Sequence, residues 1–223
     1  MKRPLSLDDW LCLGILLGLT VLVGLDRAAD SFFYATSAAT AVMAFAAVQR
    51  PELRREFFLL GFLLPISLIA TTAANHVVVH LSRHTLDAQM LKLDGGFSAA
   101  IYHWVLRHRY PHLVLNTVYY GLPLFSAFVL CVSPRRFEFA RAWIVAAAPA
   151  PLFFLAFPAT GPAHAADPMA LRNCIPSLHL TWALLGVVYI APRWRWSAIV
   201  FAALTATATL GIGEHYLIDL IVA

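Results

Sequence analysis

Charge is scarce in this chain. Only 13% of its 223 residues are Asp, Glu, Lys or Arg, against 61% hydrophobic, and the mean hydropathy is +0.74. A soluble domain of that length cannot cover its surface with so little charge, so an ordinary soluble fold is excluded. Cysteine is equally thin: three residues, Cys12, Cys131 and Cys174, an odd count that builds no disulfide framework. Nothing around Cys174 supplies the base that a nucleophilic thiol requires, so it is not read as one. The first apolar stretch lacks a small-residue cleavage site and runs on into further spans, which predicts an uncleaved first helix rather than a signal peptide. Internal repeats, low-complexity tracts and a soluble second domain are lacking too.

What is present is a succession of apolar runs. A bilayer core of about 30 Å is crossed by roughly 20 helical residues. The runs are Trp10 to Leu25, Ser31 to Val48, Phe57 to His80, Leu113 to Val132, Ala142 to Phe157, Ser177 to Ile190 and Trp196 to Ile212, with an eighth beginning at Tyr216 and cut short at Ala223. The expected fold is therefore an all-α polytopic membrane bundle of about seven to eight transmembrane helices. Residues 1–80 are expected to serve as an N-terminal anchor and 81–223 as a catalytic bundle, the two forming one integrated membrane domain.

Basic residues are retained on the cytoplasmic side when they lie in short loops. Lys2 and Arg3, "RPELRR" (Arg50 to Arg55), "PRRFEFAR" (Pro134 to Arg141) and "PRWRW" (Pro192 to Trp196) alternate with the spans so that all fall on one face. The connections on the other face are then extracytoplasmic, in a multi-pass cell-membrane protein. This retention signal accounts for the net charge of +4, and no nucleic-acid partner is inferred from it.

Two stretches on that outer face carry polar chemistry. In "RNCIPSLHLTW" (Arg172 to Trp182), Ser177 and His179 fall in the first turn of a helix, where unpaired N–H groups and the positive end of the dipole favour an anion such as phosphate. The plainer reading is a Ser177 cap beside an interfacial His179. In "GIGEHYLIDLI" (Gly211 to Ile221), His215 and Asp219 stand four apart, a spacing that shares one helical side. A carboxylate on one imidazole nitrogen fixes the tautomer and leaves the other nitrogen as a nucleophile. The plainer reading of that pair is an interfacial carboxylate.

Together the stretches resemble the type 2 phosphatidic acid phosphatase superfamily, and within it the branch of inositol phosphorylceramide synthases and their bacterial relatives. The likeness rests on Pro176, Ser177, Leu178 and His179, with Leu where the phosphatases have Gly, and on His215, Tyr216 and Asp219. It extends to the segment from Thr85 to Pro123. The resemblance implies attack by His215 on phosphorus to give a phosphohistidine, orientation by Asp219, and proton transfer to and from the oxygens by His179. Ser177, Arg172 and Tyr216 would bind substrate, with no metal and no cofactor. The implied substrate is a phospholipid or polyprenyl phosphate, with transfer of a phospho-headgroup favoured over hydrolysis and the oligomeric state left open.

One departure stands out. The superfamily phosphatases have a "KxxxxxxRP" motif and an Arg six residues before the nucleophilic His; the chain lacks that motif and has Thr209 at the Arg position. "FPATGPAHA" (Phe157 to Ala165) stands where the branch has its Pro-rich loop. Arg172, then Lys92, Arg107 and Arg109, are the cations left to meet phosphate charge. His103, His108 and His112 with Tyr102, Trp104 and Tyr110 suggest a helix lying among the headgroups. A rival reading makes His76, His80 and His84, every fourth residue, a haem or metal face in a non-enzymatic protein.

Overall fold

The computed structural model describes residues 28–82, 84–167 and 169–223. The first expected span, Trp10 to Leu25, and the Lys2–Arg3 cluster lie outside them. Among the described residues the chain is helical, without strands: α1 (Ala28–Gln49), α2 (Arg54–Leu81), α3 (Asp87–Leu93), α4 (Phe97–Leu106), α5 (Arg109–Tyr120), α6 (Leu122–Val132), α7 (Arg136–Ala147), α8 (Ala150–Ala156), α9 (Leu178–Tyr189), α10 (Arg195–Gly211) and α11 (Leu217–Ile221). Short 3-10 turns at Pro51–Leu53 and Pro192–Trp194 lead into α2 and α10, each opened by a proline that has no N–H to lose there.

The bundle is apolar both inside and out. One core joins Ala35, Ala39 and Met43 of α1, Phe57, Leu60 and Leu64 of α2, Leu124 and Phe128 of α6, and Trp143 and Trp182 of α7 and α9. It draws on both sides of residue 80. The outward face of α2 exposes Phe58, Phe62, Ile66 and Ile69, side chains that only a hydrocarbon solvent accepts in a row. Among the described residues two helical stretches are able to cross a membrane by length and composition, Pro51–Leu81 and Arg136–Ala156. A third is added if α5 and α6, bent by 48° at their junction, count as one. Pro123, at the start of α6, has no N–H to offer the Tyr119 carbonyl, which is where the helix breaks.

The seven to eight spans expected from hydropathy are thus not reached on helix length among the described residues. The run from Ser177 to Ile190 makes a helix of only 12 residues, about 18 Å, because Ser177 starts it and Pro192 follows it. The run from Trp196 to Ile212 makes 17 residues.

Three basic turns gather at one end of the bundle. Arg136 pairs with Glu56 at 2.9 Å, Arg135 lies over the Tyr189 ring, Ser133 Oγ donates to the Tyr189 carbonyl at 2.6 Å, and Phe128 meets Trp194 edge to face. Since Tyr189 closes α9 and Ser177 opens it, the Ser177 motif lies at the opposite end.

The α6–α9 contact is close because Gly186 has no side chain: a Cβ there would lie 2.4 Å from Phe125 Cε1. The Phe125 ring is itself stacked on Phe201 of α10, 4.1 Å between centroids, and has little room to yield. Gly186→Val is expected to cost about 1–3 kcal/mol through overpacking. The check is thermal unfolding in detergent, where Phe125→Leu added to Gly186→Val is expected to restore part of the lost midpoint.

Candidate active site

The site forms where the loop between α8 and α9 closes over the turn between α10 and α11. Ser177 is the N-cap of α9: its backbone is extended, and its Oγ accepts from Leu180 N–H at 3.4 Å. The same Oγ lies 3.3 Å from His215 Nε2. The expected cap is therefore present, and the same side chain reaches the His215 ring. His179 falls in the first turn of α9, as expected. Its ring stacks on Tyr119 of α5, centroids 3.9 Å apart and planes 15° from parallel, and its Nε2 has no hydrogen-bond partner among the described residues.

His215 and Asp219 do meet, but not as helix neighbours. Tyr216 is the N-cap of α11, so His215 precedes the helix, and the expectation of two side chains one turn apart on one helix is corrected. The Asp219 carboxylate folds back to accept Tyr216 N–H at 2.7 Å. That places Oδ2 at 3.5 Å from His215 Nδ1. Ring and carboxylate are almost fully buried, at 2% and 0% exposure. The imidazole thus stands between a carboxylate on Nδ1 and a hydroxyl on Nε2. On the backbone side, Thr209 O accepts both Glu214 N–H and His215 N–H at 3.2 Å. Thr209 occupies the expected Arg position and holds the turn through its carbonyl.

Sequence reading missed Asp87. Its buried carboxylate accepts Thr160 N–H at 2.9 Å, Thr160 Oγ–H at 3.0 Å, Gly161 N–H at 3.2 Å and Tyr216 O–H at 3.0 Å. The loop "FPATGPAHA" is so bound to the residue beside His215. Tyr216, expected to bind substrate, has its hydroxyl taken up by Asp87 instead, and is 1% exposed. Gly161 (φ +87°) lies against the same turn, where a Cβ would be 2.5 Å from Glu214 O. Ala163 N–H donates to Gly213 O at 2.9 Å, and His164 Nε2 meets Glu214 Oε1 at 2.9 Å. Leu217 N–H donates to Ser98 Oγ at 2.9 Å, tying α4 to the start of α11. No local pattern marks Asp87, since every partner of its carboxylate lies at least 73 positions away.

Among the expected cations, Arg172 is buried in the loop before Ser177, and its guanidinium donates to the Ala170 carbonyl. Lys92, Arg107 and Arg109 are exposed around α3 to α5. Cys174 is fully buried, and burial, followed by the charges of Asp219, Glu214 and Asp87, pushes its thiol well above the ordinary range. The rival face is not continuous: His76 and His80 are exposed on α2, but the helix ends at Leu81 and His84 lies beyond it. Among the described residues the group of three close enough to share a metal ion is Cys174, His215 and Asp219, not these histidines.

Two measurements test this arrangement. Asp87→Ala is expected to cost about 2–4 kcal/mol, because it leaves buried donors unmet, and Tyr216→Phe about 1–2; denaturation of the two variants side by side checks the order. The Glu214 hydrogen bond raises the His164 pKa above its usual 6.5, opposed in part by desolvation. A raised histidine stabilises the fold in full below its unfolded pKa and ceases to as pH climbs through the folded value. The thermal midpoint of the parent is therefore expected to fall from near-neutral pH upward relative to His164→Gln, the two converging in alkali. Equal slopes would show that the pair contributes nothing.

Residues 163–223 match a family model described as PAP2 superfamily, a stretch that takes in both the Ser177–His179 and His215–Asp219 motifs. Neither curated proteins nor solved structures gave a match to the chain.

Proposed function

We propose that the chain is an integral membrane phosphotransferase of the lipid phosphatase type, acting on a phospholipid or polyprenyl phosphate at the extracytoplasmic face. The observation that carries this reading is the buried line Asp219, His215, Ser177, inside the segment that matches the PAP2 superfamily. With the Nδ1 proton directed at Asp219, the His215 Nε2 lone pair is the nucleophile. Nε2 attacks phosphorus, the N–P bond forms, and the P–O bond to the leaving alcohol breaks as that oxygen takes a proton from His179. The charge that builds on the imidazole is met by Asp219. An acceptor hydroxyl then gives its proton to His179, attacks phosphorus and frees His215.

Ser177, the N–H groups opening α9 and Arg172 receive the phosphoryl oxygens. No metal ion takes part in either step. Transfer of a phospho-headgroup to a lipid alcohol, in the manner of the inositol phosphorylceramide synthase-like branch, is favoured over transfer to water. The basic turns, at the end of the bundle away from His215, support this sidedness, since basic turns are retained in the cytoplasm. The aromatic and basic α4–α5 hairpin, with Trp104 and Tyr110 exposed, is placed among the headgroups, where a lipid phosphate enters.

The test is a turnover screen of lipid phosphates with and without alcohol acceptors, together with trapping of the phosphoenzyme. His215→Ala is expected to form no acid-labile, base-stable label. His179→Ala is expected to label still with a nitrophenyl ester, whose leaving group needs little protonation, while lipid turnover drops by about 10² to 10⁴. Undiminished label in His215→Ala, or parental turnover in His179→Ala, would overturn the assignment.

A further inference from the structure

Cys174 has no part in that transfer, yet it is packed against the catalytic pair. Its side chain is fully buried, and its Sγ–H donates to Glu214 O at 3.0 Å. Sγ, a His215 ring nitrogen and an Asp219 carboxylate oxygen all lie within 4.8 Å of one another. At the same place two buried polar atoms, His215 Nδ1 and Asp219 Oδ1, have no hydrogen-bond partner among the described residues. Such atoms are costly in a fold unless something meets them.

We propose that Cys174, His215 and Asp219 form a binding site for a thiophilic divalent cation, Zn²⁺ being the best match, and that its occupancy switches off phosphoryl transfer. The second half rests on the catalytic reading above; the first does not. One sulfur, one imidazole nitrogen and one carboxylate oxygen are donors that zinc accepts together, whereas Mg²⁺ and Ca²⁺ take oxygen sets. Zinc holds nitrogen and oxygen at about 2.0–2.2 Å and sulfur at about 2.3 Å, so tetrahedral donors lie roughly 3.3–3.8 Å apart. His215 and Asp219, at 3.5 Å, already have that separation, long for a hydrogen bond and right for two ligands of one ion. The thiol, within 4.8 Å, has at most about 1.5 Å to close.

The charges also balance. On binding, the Cys174 thiol loses its proton to solvent and gives up its bond to Glu214 O; the thiolate and the Asp219 carboxylate together carry two negative charges against the two positive charges of the ion. A buried site so becomes neutral, with the fourth coordination position left to water. The consequence for catalysis follows from the tautomer. A neutral imidazole that gives its Nδ1 lone pair to a metal must carry its proton on Nε2. The nucleophilic lone pair is then gone, and Asp219 no longer supports the ring. Coordination through Nε2 instead blocks the nucleophile directly.

The experiment uses the full chain in nanodiscs, washed with EDTA, in a Cys12→Ala, Cys131→Ala background where Cys174 is the remaining thiol. Co²⁺ serves as the probe, because a cobalt–thiolate bond gives a charge-transfer band in the near ultraviolet. One equivalent of Co²⁺ is expected to give the band and Zn²⁺ to abolish it. Cys174→Ala is expected to lose the band, bind Zn²⁺ at least tenfold more weakly, keep its basal turnover and resist Zn²⁺ inhibition that slows the parent at least tenfold. Cys174→Ser replaces it should the alanine variant not fold, and His215→Gln, which keeps the thiol, is expected to weaken the band likewise. Absence of the band at saturating Co²⁺, or equal Zn²⁺ inhibition with and without Cys174, would overturn the proposal. A band in a protein that turns over no lipid phosphate would retain the metal site and sink the catalytic reading, and turnover without a band would do the reverse.

Discussion

Everything at the site depends on one buried carboxylate. Asp87, at 5% exposure, is surrounded by donors from two distant segments, Thr160 and Gly161 on one side and Tyr216 on the other. Burying an anion in a largely apolar bundle is expensive, and the cost is offset only when its lone pairs are filled. Filling them forces the loop after α8 against the turn before α11. His215 sits in that turn, with no helical hydrogen bonds of its own to place it. Its main chain is held by Thr209 O, its neighbour's side chain by Asp87, and its ring by Asp219 and Ser177. The His215 ring is thus set by contacts from four parts of the chain rather than by the stiffness of a helix, the alignment that a nucleophile in the proposed transfer requires.

The apolar exterior and the polar interior of one end are two sides of the same constraint. In hydrocarbon, backbone groups must be satisfied internally, which is why the described chain is helical throughout its long elements. Helix ends are where that satisfaction fails, and where polar side chains are tolerated. α9 displays both outcomes within 12 residues: its first turn meets Ser177 and His215, and its last carbonyl region meets Ser133 and the arginine turn. The short helix measures the distance between the end that holds His215 and the basic end.

How far the sequence could be read follows from the range of each interaction. The helical class, the Ser177 cap and the first-turn position of His179 are local properties, expressed within a few residues, and they were legible. The pairing of His215 with Asp219 was legible as a pairing but not in its geometry, because the spacing of four suits a helix and also suits a carboxylate folding back onto its own N-cap. Asp87 was not legible: Thr160 and Tyr216 lie 73 and 129 positions away, and no local pattern announces such a contact. The stacking of Tyr119 on His179 was hidden for the same reason. Hydropathy placed the last two runs within one or two residues of their helices, but it counted as spans helices of 12 and 17 residues that are short for a crossing. The histidines at 76, 80 and 84 were misled by a helix end, Ser82, that apolar periodicity does not reveal.

The scarcity of cations beside His215 bears on how phosphate charge is met. Lys92, Arg107 and Arg109 stay exposed around the α3–α5 segment, and the position where a phosphatase would carry Arg has Thr209. On the proposed reading the burden falls on the start of α9, where the first N–H groups have no helical acceptor, and on Arg172 in the loop that leads into it. Ser177 Oγ serves both Leu180 N–H and His215 Nε2, at 3.4 and 3.3 Å, two long contacts in place of one short one. A phosphoryl oxygen arriving at the helix start takes over the N–H, and the Ser177 hydroxyl turns to donate to a second oxygen, leaving Nε2 bare at the moment that phosphorus reaches it. On that reading the resting cap keeps Nε2 engaged, and the anion that replaces the cap is the proposed substrate.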